Sequence, residues 1–528
     1  MARCTFLEKS KIMKKTFSLI VAIIILLSCA DDDNGNFQIE NQNPDNFTVQ
    51  PGQITDTSSL LTWDSASDPD GDTVTYAVFL GENQITSQLN TTQFLLEGLS
   101  EQTSYSGKVV ADDGNNGFTE SNFSFTTLGT SDEIGISWQK SLGGSQDDVA
   151  YKIIQTTDLG FIVAGSTGSN DGDVSNNNGN TDCWIVKLDS SGNIEWETSL
   201  GGSNNETVHD IKQTADGGYI VGAFSSSNDG DISFNNGMRD FWIIKLDSAG
   251  NINWSTTVGG SSDDILEAII ETSDGSLVAV GFTSSDKYGV NGQSDAFIVK
   301  LDNTGELLWQ TNLGGSLKDI AFSIDETTDL GYILAGYTEV SSNNREMWLI
   351  KLNENGGFEW DKEYGGSQNE EAVSIQQTTD SGYIIGGYST SDDGDILENK
   401  GGRDAMIIKT DQNGNIIWQK AYGGSQSEGF NEVRQTNDGG YICIGGSFSN
   451  DLDIENNSGA YDFWIVKTSS NGEIVWQQNL GGEGNDTGYS IKETNDGGFI
   501  AAGYWYTNIT GNGEGTTGDD NYWVIKLN

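Results

Sequence analysis

From residue 134 onward, short apolar runs alternate with clusters of Gly, Asp and Asn. In one run Trp184, Val186 and Leu188 alternate with Cys183, Ile185 and Lys187, the two-residue period of a pleated strand. It is the third of four strand candidates. Strand A is VAYKIIQT (149–156), strand B is FIVAGST (161–167), strand C is CWIVKLD (183–189) and strand D is NIEWETSL (193–200). TDLG joins A to B, the long loop GSNDGDVSNNNGNTD joins B to C, and SSG joins C to D.

The unit repeats. GGSQDDVAYKIIQT (143–156) returns six more times at the same length, ending in GGEGNDTGYSIKET (481–494). The strand D tryptophans count the units: Trp138, Trp196, Trp254, Trp309, Trp360, Trp418 and Trp476. Four strands in each of seven units predict a seven-bladed β-propeller over 134–528. The region opens on a lone strand D at 135–142 and ends on a strand C at 522–527. Strand 135–142 is therefore expected to complete the last blade, leaving no free edge.

Residues 1–28 read as a signal peptide: Lys14 and Lys15 precede an apolar run too short to span a bilayer comfortably. Leu26-Leu27-Ser28-Cys29 resembles a bacterial lipobox, which implies lipidation of Cys29. Residues 29–41 form an acidic tether, and Asp31-Asp32-Asp33 resembles the export tag of surface-exposed lipoproteins. The implied location is the outer membrane, facing outward.

Residues 42–128 offer five strand candidates: SSLLTWDSA, TVTYAVFL, TQFLLEGL, SYSGKVVADD and SNFSFTTLG. GLSEQTSY (98–105) resembles the fibronectin type III signature that ends in a tyrosine corner, with Trp63 as the early core tryptophan. The whole is then all-β: a propeller preceded by a fibronectin type III-like β-sandwich, the latter a spacer. The repeats resemble a family of bacterial secreted and surface proteins with GGSxDD…DGGYIVAG…DFWIVKLDxxGNIxW units. They are distantly similar to quinoprotein propellers through Asp189, Gly192 and Trp196. Quinoprotein enzymes use eight blades and a vicinal cysteine pair. Seven blades without adjacent cysteines argue against a quinone cofactor.

Composition narrows the function. The formal charge is -52, and loss of residues 1–28 removes five cations and one anion, leaving -56. Such a surface repels nucleic acid and anionic lipid headgroups. The four cysteines make no disulfide framework; Cys183 and Cys443 replace apolar strand residues and read as buried thiols.

Acids dominate the candidate chemistry. One opens strand A in every repeat: Asp148, Glu206, Asp264, Asp319, Glu370, Glu428 and Asp486. Another precedes strand C: Asp182, Asp240, Asp295, Glu346, Asp404 and Asp462. The B-to-C loops add Asp171, Asp173, Asp229, Asp231, Asp393, Asp395, Asp451 and Asp453, whose mixed oxygen donors suit calcium. The competing reading is that acids hold turns by accepting backbone N–H bonds. Lys187, Lys245, Lys300, Lys351, Lys409, Lys467 and Lys526 occupy one strand C position, as expected of structural ion pairs. The strand D tryptophans read as packing between blades.

His209 is the only histidine. Its equivalents are Tyr151, Glu267, Phe322, Val373, Asn431 and Tyr489, so no histidine-based triad or metal centre is indicated. Tyr504-Trp505-Tyr506, before an irregular Gly-rich loop, marks a candidate ligand cleft. The expected function is a non-catalytic surface lipoprotein whose propeller binds a glycan or protein partner, with calcium assistance as an option. The alternatives are a polysaccharide-degrading enzyme using acidic residues and a purely structural envelope protein.

Overall fold

The computed structural model describes residues 41–52, 54, 58–100, 103–127, 134–342, 344–454, 456–506 and 520–528. The expected signal peptide, Cys29 and the tether up to residue 40 lie outside the described residues. The chain divides into two compact units, Met1–Leu128 and Gly129–Asn528. Apart from one 3-10 turn at Asp286–Tyr288, all regular structure among the described residues is β.

The first unit is a sandwich. One sheet pairs Val49–Gly52, Ser58–Trp63 and Gln93–Glu97; the other orders Asn83–Leu89, Thr75–Leu80, Ser104–Asp112 and Phe118–Thr126. Alternating residues on the facing sides bury Leu61, Trp63, Tyr76, Val78, Val109 and Phe123 in one core. The Ser100 N–H donates to the Tyr105 phenol at 2.8 Å, closing the tyrosine corner. Two strands are additional to the five read from sequence. Asn83–Leu89 is an edge strand with no buried residue, so it carries no apolar alternation, and Val49–Gly52 ends in Pro-Gly.

The second unit is a propeller-like array of seven four-stranded antiparallel sheets, one per sequence repeat. In six of them the strands run A-B-C-D in chain order; the seventh joins Asp486–Glu493, Phe499–Tyr506 and Asp520–Leu527 to Ile136–Leu142 from the start of the unit. Strands B and C are buried almost throughout, and the D strands form the exposed outer edges. Each A strand lies beside the A strand of the next repeat, and Asp486–Glu493 lies beside Asp148–Gln155.

Two repeated contacts join the sheets. A strand D tryptophan packs on the aromatic residue that opens strand B of the following sheet: Trp138 on Phe161 (5.7 Å between ring centres), Trp196 on Tyr219 (5.9 Å), Trp418 on Tyr441 (5.9 Å) and Trp476 on Phe499 (5.8 Å). The turn glycine of the following sheet makes room for it. Gly192 sits at φ +78°, and a Cβ there would lie 2.8 Å from Trp138. The second contact is a chain of hydrogen bonds from each A-to-B turn to the side chain ending the next A strand. It runs Thr157 to Gln213, Ala215 to Glu271, Ser273 to Glu326, Thr328 to Gln377, Thr379 to Gln435, Asn437 to Glu493, and then Asn495 back to Gln155.

The strand C lysines also find their partners. Each ammonium reaches the Asp of its own A-to-B turn: Lys187 meets Asp158 at 3.0 Å, Lys245 meets Asp216 at 2.9 Å, and the other five repeats follow suit. Burial opposes the ionised Asp158, but Thr156, the Gly160 N–H and Lys187 outweigh it and bring the carboxyl down to about 2. Cys183 and Cys443 are buried free thiols.

Candidate functional site

The acids that open the A strands are buried and serve the fold. Asp148 accepts the Gly144 N–H at 2.8 Å and the Ser169 hydroxyl at 2.9 Å; Glu428 accepts the Gly424 and Ser449 N–H groups at 2.8 and 3.0 Å. The acids before strand C converge on the same Gly-Gly corner. A Cβ on Gly201 would lie 2.5 Å from Asp182 Oδ1 and 2.8 Å from Glu206 Oε2. Burial, then the Glu206 and Asp231 charges, outweigh the Asn178 N–H bond and push Asp182 up to about 6.

The loop acids expected to hold calcium make hydrogen bonds within the fold. Asp171, Asp229, Asp393 and Asp451 accept the serine N–H of the Gly-Gly-Ser corner at 2.7–2.8 Å. Asp173, Asp231 and Asp453 accept the N–H of its first glycine, and the Asp395 N–H donates to Gly365 O. Among the described residues no group of three or more metal-ligating side chains is assembled.

The aromatic run near the C terminus is a correction to the sequence reading. Trp505 does not line a cleft. It is 8% exposed, stacks on Trp523 at 5.5 Å and donates from Nε1 to Ser141 Oγ at 3.0 Å. It is core packing in the sheet that joins the two ends of the unit. Tyr506 is exposed, and Tyr504 points the other way, into a cavity on the inner side.

That inner side holds the candidate site. Every A strand contains a one-residue bulge opposite strand B, at Tyr151, His209, Glu267, Phe322, Val373, Asn431 and Tyr489. A bulge re-aims the extra side chain. All seven line a cavity of about 640 Å³ enclosed by the A strands. It was the sequence position that singled out His209. A cavity of this volume is of the kind that holds small ligands.

Behind the bulges lies a polar cluster absent from the sequence reading. Glu432, whose side chain is 1% exposed, meets Lys152 at 2.7 Å, Lys492 at 2.5 Å and Arg434 at 2.8 Å. Burial opposes its charge, but these three cations outweigh it and hold the carboxyl well below the usual range. Asp210 is likewise held down against burial, chiefly by Lys212 and Lys152. Burial dominates at Asp325 and pushes that carboxyl up. His209 Nδ1 lies 2.8 Å from Glu267; burial disfavours its charged form, but Glu267 prevails and raises the imidazole.

The cavity lining includes five basic side chains (Lys152, Lys212, Arg403, Arg434, Lys492) and five acidic ones (Asp210, Glu267, Asp325, Glu371, Glu432), so it favours neither sign as a whole. A second cavity of about 390 Å³ adjoins it, sharing Tyr388, Arg403, Asn431 and Tyr489 and adding Tyr461 and Tyr504. The arrangement can bind a polar ligand by hydrogen bonds and ring contacts.

Residues 42–127 match the fibronectin type III domain family, in agreement with the sandwich and its tyrosine corner. The curated relative FlaEY, a regulatory protein of Caulobacter vibrioides, is 23% identical over 180 residues, covering 30% of this chain and 19% of its own length. The chain thus spans about a fifth of that relative. Among solved structures, the Pan2 WD40 domain of Neurospora crassa is similar at a TM-score of 0.42 and 11% identity, covering 72% of this chain and 89% of its own. YCF48 bound to a D1 peptide has a TM-score of 0.39 and 9% identity, covering 75% and 99%.

Proposed function

We propose that the protein is a non-catalytic binding platform, tethered at the outer membrane through lipid on Cys29 and displayed at the cell surface. The fibronectin domain is its spacer. The second unit closes as a seven-bladed propeller and presents a glycan site at the mouth of its axial cavity. One observation carries the reading. Seven bulged side chains, at the positions where the repeats disagree most, converge on one cavity of about 640 Å³, whereas the positions where they agree make turns and joints. Irregular positions on a regular scaffold are where recognition resides.

Support for closure comes from the hydrogen-bond chain that returns from Asn495 to Gln155 and from the seventh sheet, which uses both ends of the unit. A second reading, a glycan-cleaving enzyme, draws on the opposed shifts of Asp325 and Glu432 within one cavity. Unequal carboxyls are what glycoside hydrolysis uses. Against it, three cations already surround Glu432.

The test is retention of the purified full chain on a panel of immobilised polysaccharides, with reducing-end release followed in parallel. Retention without release is expected. Release abolished by Asp325→Asn would replace the platform with the enzyme, and no retention on any glycan would refute the glycan site.

A further inference from the structure

The sixth repeat breaks the pattern at the cavity mouth. On the inner side of strand B, the other repeats carry side chains: Ser166, Phe224, Phe282, Tyr337, Tyr388 and Tyr504. The sixth has Gly446. Its strand A neighbour across the ladder is Gly429, where the fifth repeat has Glu371 and the seventh Thr487. Two side chains are therefore missing from a single rung. The space left is the cavity of about 390 Å³, walled by Tyr388, Tyr461, Tyr489 and Tyr504.

Arg403 stands at this gap. Three repeats place an arginine immediately before the acid of strand C: Arg239, Arg345 and Arg403. Arg239 forks onto Asp263 at 2.8 and 2.9 Å, and Arg345 pairs with Glu371. At the two positions supplying those carboxylates, the sixth repeat has Ser427 and Gly429. Arg403 instead donates to the Glu428 backbone oxygen at 3.2 Å and to the Tyr461 phenol at 3.4 Å, and lies over the Tyr388 ring at 4.5 Å. It forms no ion pair among the described residues, in a chain with three times as many acids as bases.

Resting on the glycan-platform reading above, we propose that this notch binds a hexuronate residue of a glycan. The sugar carboxylate takes the Arg403 guanidinium, whose planar fork matches it. The pyranose ring lies against tyrosine faces, and its hydroxyls meet phenols and the side chains of Asn431 and Asn485. A carboxylate-ended peptide fits less well, because Val373 is the one aliphatic side chain in the lining. The net charge of -52 disfavours a densely charged polyuronate. The ligand is thus a uronate set among neutral sugars.

The purified full chain would be titrated with glucuronoxylan fragments and with the same fragments after reduction of their carboxyl groups to alcohols. The carboxylated form should bind, and the reduced form should bind roughly 10–100-fold more weakly, the range for a charge-assisted bond. Arg403→Gln should lose the same factor. Gly429→Glu should also abolish binding by giving Arg403 the internal acid that Glu371 gives Arg345. Arg239→Gln, already satisfied elsewhere, should bind like wild type. Melting temperatures near wild type would show that the variants are folded. Equal affinity for both forms, or binding untouched by Arg403→Gln and Gly429→Glu, would overturn the assignment while leaving a glycan platform standing. Failure to bind these or any other glycan on the panel would overturn both.

Discussion

At pH 8 the chain should become more stable when Asp182 is replaced by Asn. Asp182 is fully buried, and the Asn178 N–H and the Ser199 hydroxyl offset only part of what burial costs its charge. Glu206 approaches the same corner. The carboxyl is pushed up to about 6 from an ordinary 3.8, chiefly by burial. At about 1.36 kcal/mol per unit, ionisation in the folded state costs about 3 kcal/mol. The sign follows from proton binding: between pH 4 and 6 the folded Asp182 holds more protons than the unfolded one. Wild-type stability should therefore fall as pH rises through this window and level off above it. Asn keeps the oxygen that accepts the Asn178 N–H at 2.8 Å and puts an amide donor toward Glu206. The seventh repeat has Asn521 in the place of Asp182 and Asp148 in the place of Glu206. Urea unfolding of both proteins should show a gain of about 2–3 kcal/mol at pH 8 that shrinks to a few tenths near pH 4. A variant less stable than wild type at pH 8, or a gain independent of pH, would refute the reasoning.

Three other outcomes follow from the packing. Trp418→Ala removes the ring that bridges to Tyr441 and Gly472, and thermal unfolding should report a loss of about 3 kcal/mol, with Trp418→Phe restoring most of it. Glu432→Gln strands Lys152, Arg434 and Lys492 without their shared acid; urea titration should register a loss of about 3–5 kcal/mol at pH 7. A chain truncated before Gly143 leaves Asp520–Leu527, which carries Trp523, as an open edge, and light scattering should detect concentration-dependent association that the full chain does not show.

What sequence made legible was what repeats. The turn glycines, strand D tryptophans and strand C lysines recur because each sheet must solve the same joint, so their period reveals the architecture and their packing role. The central cluster was illegible for the same reason. Lys152, Asp210, Ala268, Ser323, Ser374, Glu432 and Ser490 share one alignment column without sharing a chemistry. The contact from Lys152 to Glu432 crosses 280 residues. A usable signal existed: charges of opposite sign within a column of otherwise buried strands. Trp505 misled because its partners, Trp523 and Ser141, come from opposite ends of the unit and meet only in the finished fold.

The seventh sheet also sets a timetable. Ile136–Leu142 is the first strand of its unit to be synthesised, yet Leu142 pairs with Tyr522, about 380 residues later. At about 5–20 residues per second, that strand waits some 20–80 seconds for its partner. Throughout that interval Trp138 has only the neighbouring repeat to cover it, through Phe161 and Gly192. Early docking of the first complete repeat against this waiting strand would shield it, so the order of emergence favours growth of the array from its N-terminal side, with the seventh sheet completed only as Asp520–Leu527 arrives.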